Sequence, residues 1–128
     1  MKEIMSKIFA LEDVEPILKK IIEVLVNNNI QIVDIMFGFA WGNYIYENNW
    51  DNMTIHASEI IARTYEYKEY GNIGDDDLYI NIPDSNIEIL ICHERDIHIR
   101  YEQDSELLSK LKRVLPEEQW VVRRDIKS

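Results

Sequence analysis

Between Leu78 and Tyr101 the chain alternates apolar and polar side chains three times over, and this stretch restricts the possible folds more than any other. Leu78, Ile80 and Ile82 form one apolar row, Ile87, Ile89 and Ile91 a second, and Ile97, Ile99 and Tyr101 a third. A period of two places each row on one side of an extended strand. Pro83-Asp84-Ser85-Asn86 supplies a turn between the first two rows. Three antiparallel strands sharing one apolar face follow, and such a face has to be covered.

Amphipathic helices on either side of the meander can provide the cover. From Glu12 to Asn28 the residues Val14, Ile17, Leu18, Ile21, Ile22 and Leu25 recur at helical spacing, with Lys19, Lys20 and Glu23 opposite them. Pro16 is expected in the first turn of that helix, and Asn27-Asn28-Asn29 at its end. A second stripe between about Thr54 and Glu69 joins Ala57, Ile60, Ile61, Thr64, Tyr65 and Lys68. A third helix starts from Asp104 or Ser105 as N-cap, carries Leu107, Leu108, Leu111, Val114 and Leu115, and stops at Pro116.

Seven of the twelve residues from Ile30 to Trp41 are β-branched or aromatic, which predicts a central strand covered on both faces. A short second strand is expected within Gly42 to Asn52, and a last one in Gln119 to Arg124. Gly71-Asn72-Ile73-Gly74-Asp75-Asp76-Asp77 interrupts regular structure. No repeat or Pro/Gly/Ser-rich linker divides the 128 residues, so residues 1–128 are read as one domain. The expected fold class is α+β, a mainly antiparallel sheet with three helices packed on it.

A formal net charge of −10 argues against direct binding to nucleic acid or anionic lipid and favours cationic protein partners. The apolar runs are too short and too polar to span a bilayer, and the N-terminus lacks the apolar core of a signal peptide. A lone cysteine, Cys92, excludes an internal disulfide. A cytoplasmic location is the expectation that fits these features.

Candidate chemistry concentrates in Cys92-His93-Glu94-Arg95-Asp96-Ile97-His98, since thiols, imidazoles and carboxylates serve as metal ligands and as acid/base groups. The two histidines are five apart, not the four of a zincin helix. A hairpin turn of two or four residues would set His93 opposite His98. A three-residue turn at Glu94-Arg95-Asp96 would pair His93 with Ile97 and keep the isoleucines on one face. Exposing that row would forfeit roughly 25 cal/mol per Å² of apolar surface, so the three-residue turn and separated histidines are expected. His56 has no partner for a triad, and no serine occupies a nucleophile elbow. No phosphate loop, dinucleotide turn or Cys-x-x-Cys pair occurs either. The expectation is therefore a protein that is not an enzyme, with no cofactor and no metal. The rival reading is a small metal-binding or enzymatic domain using His93, Glu94, Asp96 and His98, and an adaptor subunit is a third.

Two groups of residues suit a protein partner. Asp75, Asp76 and Asp77, with Glu102 and Asp104, offer carboxylates to Arg or Lys side chains. Tyr44, Tyr46 and Trp50 offer the large, rigid area typical of interface anchors, whereas Trp41 reads better as core. In general layout the chain resembles immunity proteins of bacterial polymorphic-toxin and contact-dependent growth inhibition systems. The resemblance lies in the N-terminal helix, the aromatic-rich strand, the acidic loop before Leu78-Tyr79-Ile80 and the string from Cys92 to His98. It implies a cognate toxin protein as partner, often a basic nuclease, neutralised by occlusion of its active site or a nearby surface.

Overall fold

The computed structural model describes residues 1–38, 53–66 and 71–126. Among these residues seven strands form one open sheet: β1 (Lys2–Ser6), β2 (Ile32–Gly38), β3 (Met53–His56), β4 (Asp77–Ile82), β5 (Ile87–Ile91), β6 (Ile97–Tyr101) and β7 (Trp120–Asp125). Their order is β3-β2-β4-β5-β6-β1-β7, and every neighbouring pair is antiparallel. The helices α1 (Leu11–Asn27), α2 (Ile60–Glu66) and α3 (Glu106–Lys112) complete the α+β fold.

The expected meander is present in all its strands. Ile80 stands between Ile35 and Ile89, and Ile89 faces Ile99, so one lateral row of isoleucines crosses four strands. Val14, Leu18, Ile21 and Leu25 of α1 and Leu108 and Leu111 of α3 bury their side chains in the same core. The third helix begins as expected at Ser105, whose Oγ accepts the Leu108 N–H at 3.1 Å. Helix α1 ends at the asparagine run, with Asn29 left-handed at φ 63 and the Ile30 N–H returning to the Leu25 carbonyl at 2.9 Å.

Several elements differ from expectation. Lys2–Ser6, read as no element, is an interior strand between β6 and β7. Pro16 lies in the second turn of α1, where its missing N–H leaves one carbonyl near the helix start without an intrahelical donor. The expected second helix begins late: Met53–His56 pairs with β2 as an edge strand, Ala57–Glu59 is a 3-10 turn, and only Ile60–Glu66 is α-helical within the described residues. β-Branched Thr54 and Ile55 gain more from pairing than from a helical turn. Strand β2 turns Val33, Ile35 and Phe37 into the core while Asp34 and Met36 are half-buried and Ile32 is exposed, so its outward side is not fully covered. The expected strand within Gly42 to Asn52 lies outside the described residues.

The outward face of the sheet has its own order. Arg124, Glu3, Arg100, Glu88, Asn81, Asp34 and Thr54 stand side by side in one row that crosses all seven strands. Glu3 Oε2 accepts from Arg100 Nε at 2.8 Å, its Oε1 lies 2.7 Å from Arg124 Nη2, and Glu88 Oε1 accepts from Arg100 Nη1 at 3.3 Å. The row is thus an alternation of charge at one end and a Thr54–Asp34 hydrogen bond at the other.

Candidate functional site

The three adjacent aspartates of the 71–77 loop serve three different ends. Gly74 takes φ 93, a backbone conformation that a side chain would strain, and the Asp75 and Asp76 N–H groups return to the Asn72 carbonyl at 3.1 and 3.0 Å. Asp76 Oδ2 accepts the Asn72 N–H at 2.8 Å and so closes the turn. Asp77 opens β4 and is buried, its Oδ1 accepting from the His93 backbone N–H and lying 2.9 Å from His93 Nδ1. Only Asp75 points outward, in an exposed ion pair with Arg95 at 2.8 Å. Asp75, Asp76 and Asp77 therefore do not stand side by side at the surface: Asp77, at the first position of β4, is buried against the neighbouring hairpin.

Asp75 does border a cleft. Leu11, Glu12, Glu15 and Pro16 of α1, Tyr65 of α2 and Asp75 line a hollow of about 420 Å³. Helix α1 presents Glu12 and Glu15 because its apolar stripe turns Val14, Ile17 and Leu18 inward. The Tyr65 hydroxyl donates to Glu15 Oε1, which ties α2 to α1 across the cleft and raises the Tyr65 pKa. Leu11 and Tyr65 are exposed apolar surface within this acidic rim, and Ile8, just before the helix, is 68% exposed. Carboxylates beside apolar surface have the chemistry that suits a Lys or Arg side chain, whose stem is apolar and whose head is charged.

Glu102 and Asp104 are exposed but stand elsewhere. They follow the far end of β6, and Glu102 lies 3.9 Å from the N-terminal amine. The five residues of β6 separate them from the Asp75 end of the sheet by roughly 17 Å. Asp104 instead borders a second hollow with Lys2, Lys112, Arg113 and Arg123, where cations outnumber acids. The predicted acidic set is therefore split between two ends of the molecule. Tyr44, Tyr46 and Trp50, with Trp41, lie outside the described residues. Glu12 and Glu15 were missed because the polar side of the helix was read only as Lys19, Lys20 and Glu23, although Glu12-Asp13-Val14-Glu15 is itself an acidic run.

The cysteine–histidine string folds as a three-residue hairpin loop, as expected, but one residue earlier: the loop is His93-Glu94-Arg95, and Ile91 faces Ile97. The Cys92 N–H donates to the Asp96 carbonyl at 2.9 Å, and the Arg95 N–H to the Cys92 carbonyl at 2.9 Å. Moved by one residue, the loop still keeps the isoleucines of β5 and β6 on the core face, as the burial argument required, and it sets Cys92 opposite Asp96 on the outward face that His98 shares. His93 and His98 fall into two neighbouring sets, Asp77–Cys92–His93 and Cys92–Asp96–His98, which share the thiol. Glu94 is exposed, 3.8 Å from His93 Nε2.

Electrostatically the second set is the stronger. His98 Nε2 lies 3.0 Å from Asp96 Oδ2, and its Nδ1 lies 3.4 Å from Glu3 Oε2. Burial opposes the charged imidazole, but the Asp96 and Cys92 contacts outweigh it and His98 is pushed up to about 10. Burial raises the Asp96 pKa, but the hydrogen bond and charge of His98, with smaller contributions from Cys92 and the backbone, hold it below the usual carboxylate range. Glu3 is fully buried, and besides His98 it is paired with two partly exposed guanidinium groups, those of Arg100 and Arg124. Burial raises its pKa, but the Arg100 and Arg124 hydrogen bonds together with the nearby charges of His98 and Arg100 lower it more, and the net shift is downward. Sequence reasoning missed Glu3 because nothing nearby in the chain pairs with it; its partners come from positions 98, 100 and 124.

Among the described residues no helix is long and apolar enough to cross a membrane. Compared with protein-family models, with curated proteins and with solved structures, the chain finds no match.

Proposed function

We propose that this protein is a non-catalytic binding protein that neutralises a basic bacterial toxin domain, and that the cleft between α1, α2 and the 71–77 loop receives a cationic side chain of that partner. The observation that carries the reading is the combination, at one place, of Glu12, Glu15 and Asp75 with exposed Leu11 and Tyr65. Clustered carboxylates steer a cationic partner into encounter, and the apolar surface beside them supplies the contact that slows its departure. The net charge of −10 adds a long-range attraction that salt weakens.

The test has two arms. Co-expression with the C-terminal domain of a secreted polypeptide encoded beside this chain should relieve the growth arrest that domain causes. In stopped-flow mixing with the same domain, Glu12→Lys combined with Asp75→Lys should slow association about tenfold at low salt, with little change in dissociation. Growth arrest that persists would reject the toxin partner, and an unchanged association rate would remove the cleft from the interface.

A further inference from the structure

Asp96 is buried to 6% exposure, and its Oδ1 has no hydrogen-bond partner among the described residues. A buried carboxylate oxygen left without a donor is costly, so the surroundings of such an atom point to what would satisfy it. Around Asp96 the side chains offer a thiol and an imidazole. Cys92 Sγ, one Asp96 oxygen and one His98 nitrogen all lie within 4.8 Å of one another. The hairpin explains why: Asp96 and His98 are two apart on one strand and share its outward side, and Cys92 faces Asp96 across the closing pair of the loop.

We propose that Cys92, Asp96 and His98 form a binding site for a divalent transition-metal ion of the zinc class. Thiolate, imidazole and carboxylate are the three donor types that zinc accepts, and three protein ligands leave a fourth position for water. In a tetrahedral zinc site adjacent donor atoms stand about 3.3 to 3.7 Å apart, the nitrogen–oxygen pair at the short end. His98 Nε2 and Asp96 Oδ2 are 3.0 Å apart, close to that spacing, and an ion held by both oxygens of the carboxylate would also satisfy Oδ1. The outer shell is also in place. A metal-binding histidine usually gives its other ring N–H to a carboxylate, and here His98 Nδ1 faces Glu3 Oε2 at 3.4 Å. Arg100 and Arg124 fix Glu3 in turn, which sets the imidazole plane. Glu3 is accordingly a positioning residue of the site.

The inference is independent of the toxin-binding reading, and its test needs no partner. Reduced, chelator-stripped protein is titrated with Zn²⁺ by calorimetry and with Co²⁺ by absorption spectroscopy. With release of the His98 ring proton to the buffer, one ion per chain should bind at micromolar affinity or tighter, and Co²⁺ should show a thiolate-to-metal charge-transfer band with the intense visible bands of a tetrahedral site. Cys92→Ser, nearly isosteric, should abolish the charge-transfer band and weaken Zn²⁺ binding at least 100-fold. Glu3→Gln should weaken it about tenfold while keeping the band. His93→Gln should leave affinity within about twofold, because His93 belongs to the neighbouring set. Absence of Zn²⁺ binding, affinity unchanged in Cys92→Ser, or loss of binding in His93→Gln with retention in His98→Gln would each overturn the assignment.

Discussion

The two faces of the sheet come from the same strands and the same alternation, yet they are held by different physics. On the inner face Ile35, Ile80, Ile89 and Ile99 meet in one lateral row, each at 0% exposure, and the helices close over them. Such packing is non-directional and tolerates exchange among residues of similar volume. On the outer face the row from Arg124 to Thr54 depends on direction and charge. Moving any member by one strand position would set like charges together or send the side chain to the other face. The inner face thus fixes that the strands pair, and the outer face adds to the choice of which residues pair. That division explains why a strand as poor in apolar residues as β1 can sit in the interior of the sheet. Ile4 binds it to the core from one side, and Glu3, between two arginines, binds it from the other.

The sharpest way to break the comparison is to remove one side chain from each face. Ile89→Ala should cost about 4 kcal/mol, because a fully buried isoleucine leaves a cavity that the flanking strands cannot close. Ile32→Ala, on the exposed side of β2, should change stability by less than about 0.5 kcal/mol. Urea unfolding read by circular dichroism measures both, and equal losses would erase the distinction between faces. Glu3→Gln should cost about 2 kcal/mol, less than a fully buried pair would, because Arg100 and Arg124 are 35% and 56% exposed and can turn to water. Its signature is pH. A carboxylate whose folded pKa lies below its ordinary value near 4.5 contributes stability above that pH and loses it as pH falls through the folded value. The wild type should therefore lose more of its urea midpoint between pH 6 and roughly pH 3 than Glu3→Gln does. Parallel acid limbs would show that Glu3 is no keystone of the outer face.

What could be read from the sequence follows the same division. The meander and α3 were legible because their signals are local: period-two isoleucines, a Pro-Asp-Ser-Asn turn, and a serine that caps its own helix. Strand β1 was not, because its partners lie about 95 and 120 positions away and five residues with one core-facing isoleucine give no periodic signal. Strand β3 was absorbed into a helix for a related reason: Ala57, Ile60 and Thr64 are buried at helical spacing, and pairing with β2 decides the preceding four residues. At the candidate cleft the acidic loop was found and its division of labour was not. Asp77 becomes a hairpin anchor only when β4 lies beside the 92–96 turn, a fact of tertiary pairing. The displaced register of that turn has a simpler cause. The third loop residue is left-handed, a position that glycine or asparagine would have marked, and here it is Arg95 at φ 69.

Arg95 also supplies the smallest effect, at the end of the sheet where the two faces meet the acidic cleft. A non-glycine residue in the left-handed region carries a strain of about 1–2 kcal/mol, and glycine would relieve it while costing about 0.5–1 kcal/mol in unfolded-chain entropy. The Arg95–Asp75 pair lost in Arg95→Gly is exposed on both sides and contributes under about 0.5 kcal/mol. The balance favours the variant by about 0.5 kcal/mol, a small upward shift of the urea midpoint. The same substitution leaves Asp75 without its counter-ion and makes the cleft more negative. If the cleft steers a cationic partner, Arg95→Gly should associate faster than wild type, opposite to the charge-reversed pair, and the gain should vanish in 0.5 M salt. A midpoint that rises while the association rate stays fixed would keep the strained turn but take Asp75 out of the binding surface. Stability and encounter are thus separable at one residue, because the strain lies in the backbone and the steering in the side chain.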